Sequence, residues 1–470
     1  MGVLLKSLGL VQFRSFVTEH KLGAILAVGV VARLILMPIS AHPLDMYVWY
    51  EAALSVVKNG PLSVKFFPPV QGYLLLVPLA YLYSWLAHTF SWGSFGPIPM
   101  ASISPALNYY PTLDAQYVPG MLFSFVEKLP LLFSDFVATI LLYKIVLSLT
   151  GKKGLAEAAA VLLFLNPYLI WVSAVWGMWD TLPALFSLAC FYFLLKKKFV
   201  LSSACLAIGV FLKIYPLLFV IPMTFYVYRT STSGDRLKNL AKFYSVIVVP
   251  LAVLLVAFSG SIMAFLTDWF LPSSNAVSAI VANPSAYPLG LGLTYWTIFG
   301  PDRAIKYPLT SGFVSTMMVL STALVLFSIG LSYLTIGKMG FRKPAYDLSA
   351  ALLFCVFALF LSFRIVDEQF FVWALPFLII LCVGTKIKTS LYWGASFIAL
   401  FYIILNCPLP LFFLPLSPWA GSSLAAFLQI FRSIQTVRVI LLAILGCLFS
   451  AVTIFALIQI NKLNNFLSIV

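Results

Sequence analysis

Apolar stretches of about 20 residues, recurring along the whole chain, limit this fold more than any other feature. They lie at 22–39, 66–88, 119–149, 154–172, 179–195, 199–228, 240–260, 311–337, 348–363, 369–385, 390–405 and 434–460. No soluble core could hide them, because 62% of the residues are hydrophobic and only 9% are charged. In lipid each span must satisfy its own backbone hydrogen bonds. Unbroken apolar runs, lacking the alternation of barrel strands, do so as helices. The sequence therefore predicts an all-α polytopic transmembrane helical bundle of about 11–13 spans. Residues 1–470 read as a single integral membrane domain, with the first run an uncleaved helix.

The net charge of +15 does not mark a nucleic-acid binder, because Lys and Arg fall in short clusters between the apolar runs. Lys152-Lys153, Lys196-Lys197-Lys198, Arg229 with Arg236 and Lys238, Lys338 with Arg342-Lys343, and Lys386 with Lys388 mark cytoplasmic loops. The remaining connections then fall together on the other side: 40–65, the turn "SAVWGMWD", 261–310, "FRIVDEQ" and 406–433. The run 199–228 has basic clusters at both ends, so two half-length helices meeting near Lys213–Pro216 are expected. Residues 66–128 leave a parity conflict: either 66–88 is two half-spans or 100–128 hides a further one. Segment 46–58 reads as a short interfacial helix. The six cysteines are scattered without metal-type spacing and read as small buried hydrophobes.

Ionisable groups within or beside spans are costly and mark candidate function. In "HPLDMYVWYEAA" Asp45 and Glu51 sit at the outer mouth of the first helix; Asp45 also suits an N-cap. His42 reads as an ordinary loop hydrogen-bonder. In "VEKLPLLFSD", Lys128 and Asp135 are seven residues apart and share a helix face, roughly 10 Å apart. Asp180 closes "WGMWD", where Trp176 and Trp179 suit either a pocket or an interfacial belt, and Asp180 could simply cap the next span. Lys213, in "LKIYP", lies mid-run, where an ammonium could snorkel or hold a phosphate. In "FRIVDEQFFVW", Arg364 could pair with Asp367 or hold an anion with its planar fork, and Gln369 follows. The charge map puts Asp45, Asp180, Lys213 and Arg364 at one membrane face. A carboxylate opposite two cations suits displacement of a lipid phosphate from a sugar.

These motifs, in order with "FPP" and "DEQFFVWALPF", resemble the GT-C superfamily of polyprenyl-phosphate-sugar-dependent glycosyltransferases. Within it the likeness is to mannosyltransferases similar to the catalytic subunit of GPI mannosyltransferase I and its prokaryotic relatives. The resemblance covers residues 20 to 385, with "LKIYP" and "WGMWD" its most specific parts. It implies a GT-C-like helical module at 20–260, an external loop at 261–310 and variable C-terminal helices at 311–470. It also implies an essential acid in the first external loop, carried here to Asp45 with Glu51 as second choice. The D-x-D of the eukaryotic GPI enzyme is replaced by "DMYVWYE", which puts metal coordination by an acid pair in doubt. A divalent cation such as Mg or Mn is left open.

The expected activity is inverting transfer of a hexose, mannose first, from a dolichyl- or polyprenyl-phosphate donor to a lipid or glycan acceptor at the non-cytoplasmic face. Asp45 would be catalytic, and Lys213, Arg364 and Lys128 would bind the donor phosphate. Asp180, Trp176, Trp179, Tyr215 and Gln369 would line the sugar or acceptor pocket. The membrane would be the plasma membrane of a prokaryote or the ER of a eukaryote, with room for a small accessory membrane subunit. A transporter or lipid flippase, or a non-catalytic subunit of a glycosylation complex, would share the helices and charges. Transporters pair their interrupted helices, however, and here one interruption is clear.

Overall fold

Backbone groups with no water to bind force the apolar runs into helix, and the structure, a computed structural model, shows this throughout. It describes residues 21–43, 45–63, 71–90, 97–99, 117–257, 273–282, 289–300, 309–339, 341, 343–407, 409–416, 426–427, 429–430 and 433–469. The "FPP" motif at 67–69, most of 90–118 and most of 261–310 lie outside these residues, and with them the parity of 66–128.

The described residues open with α1, Lys21–Ile39, and the shorter α2, Asp45–Asn59. Then come α3, Val77–Phe90, the long α4, Met121–Thr150, and α5, Lys153–Phe164. A single turn α6, Pro167–Ile170, runs into a π-helical turn, Trp171–Trp176. It is followed by α7, Thr181–Leu195, and α8, Phe199–Leu212. A 3-10 turn, Tyr215–Phe219, separates α8 from α9, Val220–Thr230, and α10, Arg236–Ala257, follows. The later helices are α11, Ser274–Ala282, α12, Ser311–Gly337, α13, Pro344–Ser362, and α14, Leu375–Gly384. The last three are α15, Thr389–Asn406, α16, Leu409–Phe412, and α17, Gln435–Ile469.

Among the described residues, six helices are long and apolar enough to cross a bilayer. The pair α5 and α6, bent by 42°, makes up to seven, and four shorter apolar helices accompany them. The all-α polytopic bundle read from the sequence is what the chain forms. The central helices α13 and α14 are enclosed by the rest, and α7 packs on α8, α8 on α10, and α4 on both α5 and α7.

Three local features place the functional groups. First, the break expected near Lys213–Pro216 is present: Lys213 is extended, with φ −159° and ψ 142°, and Pro216 lies in the 3-10 turn. Helix α8 is therefore about 21 Å long, short of a hydrocarbon core of about 30 Å. Second, α2 forms where an interfacial helix was expected. It buries Met46, Tyr50, Ala53 and Val56 along one face. Third, the segment after α13 forms a two-residue strand, Ile365–Val366, paired in parallel with Leu291–Gly292, which anchors the 289–300 segment beside it. Gly292, at φ 85°, tolerates no side chain there, since a Cβ would fall 1.9 Å from the Val366 carbonyl oxygen.

Candidate active site

Asp45 begins α2, and its carboxylate reaches back along the chain and across the bundle. Its Oδ2 lies 2.9 Å from His42 Nδ1 and accepts the Trp176 indole N–H at 2.7 Å. The Asp45 amide lies 3.3 Å from the same imidazole nitrogen. One nitrogen cannot both accept that proton and donate its own, and the shorter contact to a carboxylate puts the proton on Nδ1. Burial alone would push the His42 imidazole down, but Asp45, with a smaller contribution from Cys407, brings it to about 10. Burial alone would raise Asp45, but His42, the Trp176 N–H and Lys213 outweigh it and hold the carboxyl below its usual range. The Asp45 side chain is 31% exposed. Its Oδ1 has no hydrogen bond among the described residues and remains available. Glu51, six residues on, falls about 240° around the helix and is exposed, away from this cluster.

The π-turn sets Trp176. It ends at Gly177, whose φ of 91° and close neighbours, Glu127 Oε2 and Met46 Sδ, admit no side chain. The chain then reaches Asp180 at the start of α7. Lys213 Nζ donates to Asp180 Oδ1 at 2.8 Å and Oδ2 at 2.9 Å, and Trp373 Nε1 donates to Oδ1 at 2.7 Å. Asp180 is thus enclosed, 1% exposed, while the Lys213 side chain remains 26% exposed. Lys213 Nζ also lies over the rings of Phe370, at 4.8 Å, and Trp373, at 5.6 Å. Tyr215 stacks on Trp373 at 3.8 Å. Asp367 feels the charges of Lys213, Asp180 and Asp45; burial is the largest influence and raises it to about 6. Beside it Glu368 is raised to about 7, again mainly by burial, although Asn406 donates to its Oε1 at 2.6 Å.

The other candidates are placed differently. Lys128 is fully buried in α4 and donates to the carbonyls of Met37 at 3.3 Å, Val175 at 3.0 Å, and Ser40. An ammonium has three donors, and these are spent on the end of α1 and on the π-turn. Asp135, on the same α4 face, pairs with Arg33 instead, accepting Nε at 2.9 Å. Arg364 is buried and turns Nη1 to the Leu289 carbonyl at 3.3 Å, while its own carbonyl accepts the Leu291 amide. Trp179 is buried, stacks on Trp49 at 4.4 Å and donates to Glu127. Gln369 is 5% exposed, and its Oε1 has no hydrogen bond among the described residues.

Sequence reading passed over His42, Trp373 and Glu127. The first had a signal, the i,i+3 spacing to Asp45. Trp373 sat unassigned in "QFFVW". Nothing local pointed to Glu127, whose partner Trp179 lies 52 residues away.

The described residues do not suit a resident metal ion. No three His, Cys, Asp or Glu side chains among them come together as a metal site. Asp45 Oδ2 and both Asp180 oxygens already accept N–H donors.

Spanning and shorter apolar helices thus surround a buried carboxylate–ammonium pair and a second, partly exposed acid. Residues 172–271, which carry Trp176, Asp180 and Lys213, match the family model described as Mannosyltransferase (PIG-M). No curated protein matches the chain. The chain is therefore a membrane glycosyltransferase of the mannosyltransferase kind, as its motifs suggested. That family implies a lipid-linked sugar donor and an acceptor in the membrane.

Proposed function

We propose that the chain is an inverting mannosyltransferase that takes its sugar from a dolichyl- or polyprenyl-phosphate donor and passes it to a lipid or glycan acceptor. One observation carries this reading: Asp45 and Lys213, the two partly exposed charges of the cluster, lie close enough for Asp45 to feel the ammonium. The acceptor hydroxyl gives its proton to Asp45 Oδ1 as its oxygen bonds to the anomeric carbon. The bond from that carbon to the phosphate oxygen breaks, and its electron pair leaves with the lipid phosphate. Lys213 balances the charge that develops there. A single displacement of this kind requires one base, and Asp45 supplies it.

The remaining roles follow from the contacts. Asp180, expected as a pocket residue, holds Lys213 and Trp373 in place and leaves sugar contact to its neighbours. Lys128, expected at the phosphate, staples the end of α1 to the π-turn from behind. Arg364 braces the 289–300 segment and leaves the phosphate to Lys213. Trp176, Tyr215 and Gln369 line the sugar side, with the Gln369 carbonyl oxygen accepting a hydroxyl; Trp179 supports Trp49.

The charge pattern supports a non-cytoplasmic site. Helices α4, α7 and α14 run from the cluster toward Lys152, Lys196 and Lys386, while α8 returns from Lys198 to Lys213. Because α8 falls short of a full span, Lys213 is recessed from that outer surface, where the head of a membrane-held lipid phosphate can meet it. Incubating the purified protein with polyprenyl-phosphate-mannose and inositol-lipid, lipid-linked-oligosaccharide and protein acceptors, followed by mass spectrometry, tests the reading. A mannosylated product is expected; release of no lipid phosphate with any acceptor would sink it.

A further inference from the structure

Asp45 has an unusual companion. His42 is only 7% exposed, and its ring stacks on Trp176 at 4.9 Å and against Phe412 at 5.4 Å. Its amide donates to the Trp176 carbonyl at 3.2 Å, and the preceding amide, of Ala41, donates to Phe412 at 2.6 Å. The imidazole therefore has one position, fixed by the π-turn on one side and by α16 on the other. From that position Nδ1 meets Asp45 Oδ2, the same oxygen that takes the Trp176 N–H. Both donors converge on one oxygen, so the carboxylate cannot rotate without losing two hydrogen bonds.

We propose that His42 is the positioning residue of the transfer reaction: as an imidazolium clamped between Trp176 and Phe412, it keeps Asp45 ionised and commits Oδ1 to the acceptor hydroxyl. This rests on the reading of Asp45 as the base and deepens it. Other charges bear on the pair from every side. Lys213, at the α8 break, acts on Asp45, whose charge in turn bears on Glu127 in α4 and on Asp367. The Cys407 thiol, beyond α15, acts on His42, whose charge in turn bears on Glu368. Lys213 is already shared with Asp180. His42 is the cation given over to Asp45.

Two measurements test this. His42→Asn keeps a neutral donor near the Nδ1 position but removes the charge. Its kcat, measured with polyprenyl-phosphate-mannose and whichever of the three acceptors takes mannose in that assay, should fall at least roughly tenfold at pH 5. The deficit should shrink toward pH 8, where Asp45 ionises unaided. The donor KM should stay near wild type. A purely structural loss would be the same at every pH, and a flat ratio overturns the inference.

The second measurement needs no substrate. A water-soluble carbodiimide, which attacks protonated carboxyls, should leave Asp45 of the wild-type protein unlabelled at pH 5 when mapped by mass spectrometry. Labelling of Asp45 there overturns the inference even if His42→Asn fails to fold. Failure of the parent reading looks different: Asp45→Asn would retain transfer whatever happens at His42.

Discussion

Lys213 meets Asp180 through two hydrogen bonds, of 2.8 and 2.9 Å, at the point where α8 stops short of a full span. A lone ammonium at that depth would be costly, and a fully paired one would be useless to a ligand. Asp180 takes two bonds from Lys213 and one from Trp373, which leaves the ammonium anchored but partly exposed. The pair separates the residue that touches a ligand from the one that aims it.

Lys213→Ala should therefore weaken donor binding by roughly 10- to 100-fold, the worth of a charge-assisted hydrogen bond, mostly in the donor KM. Asp180→Asn keeps the shape but frees Lys213 and loosens Trp373, so donor KM and kcat should both suffer. Steady-state kinetics against donor concentration separates the two patterns. Equal donor KM in Lys213→Ala and wild type would remove Lys213 from the phosphate.

Asp45→Asn should cost about 10²- to 10⁴-fold in kcat, the usual yield of a positioned base, with expression and lipid binding retained. Glu51→Gln, exposed on the far side of α2, should transfer at close to the wild-type rate. The reverse result in a membrane assay would mean the wrong acid has been assigned.

Lys128→Met should act on stability and not on donor affinity. Three carbonyls lose a charged donor, and a loss of about 2–3 kcal/mol is expected. Thermal unfolding in detergent would show the drop. A raised donor KM with unchanged stability would return Lys128 to the phosphate site.

Asp367 and Glu368 predict a pH trend. Their folded values, about 6 and about 7, lie above the ordinary 3.8 and 4.5, so the folded chain holds their protons longer than the unfolded one. Their contribution to stability is present at low pH and is lost as pH rises through about 6 and about 7. The unfolding temperature should fall between pH 4.5 and 7, mostly below the region where the stabilisation from His42 begins to be lost, and Glu368→Gln should flatten the slope. An unchanged slope in that variant would assign the trend elsewhere.

The helices, the break at Pro216 and the start of α2 were legible because local rules dictate them: apolar length, proline and amphipathic spacing. The roles of buried charges were not. Lys128 looks the same in sequence whether it faces a phosphate or the end of α1, and only the carbonyls of Met37, Ser40 and Val175 decide. Asp180 read as a helix cap or pocket acid because Trp373, its third donor, lies 193 residues away. Arg33 attracted no notice within α1, although it was the partner that Asp135 required.

That last pair bears on how the protein is made. Arg33 and Asp135 are both fully enclosed and lie 102 residues apart. Either charge alone is expensive in lipid. The arginine of α1 therefore stays without its carboxylate until α4 has been made. A span made early is thus fixed only once a later one has packed against it.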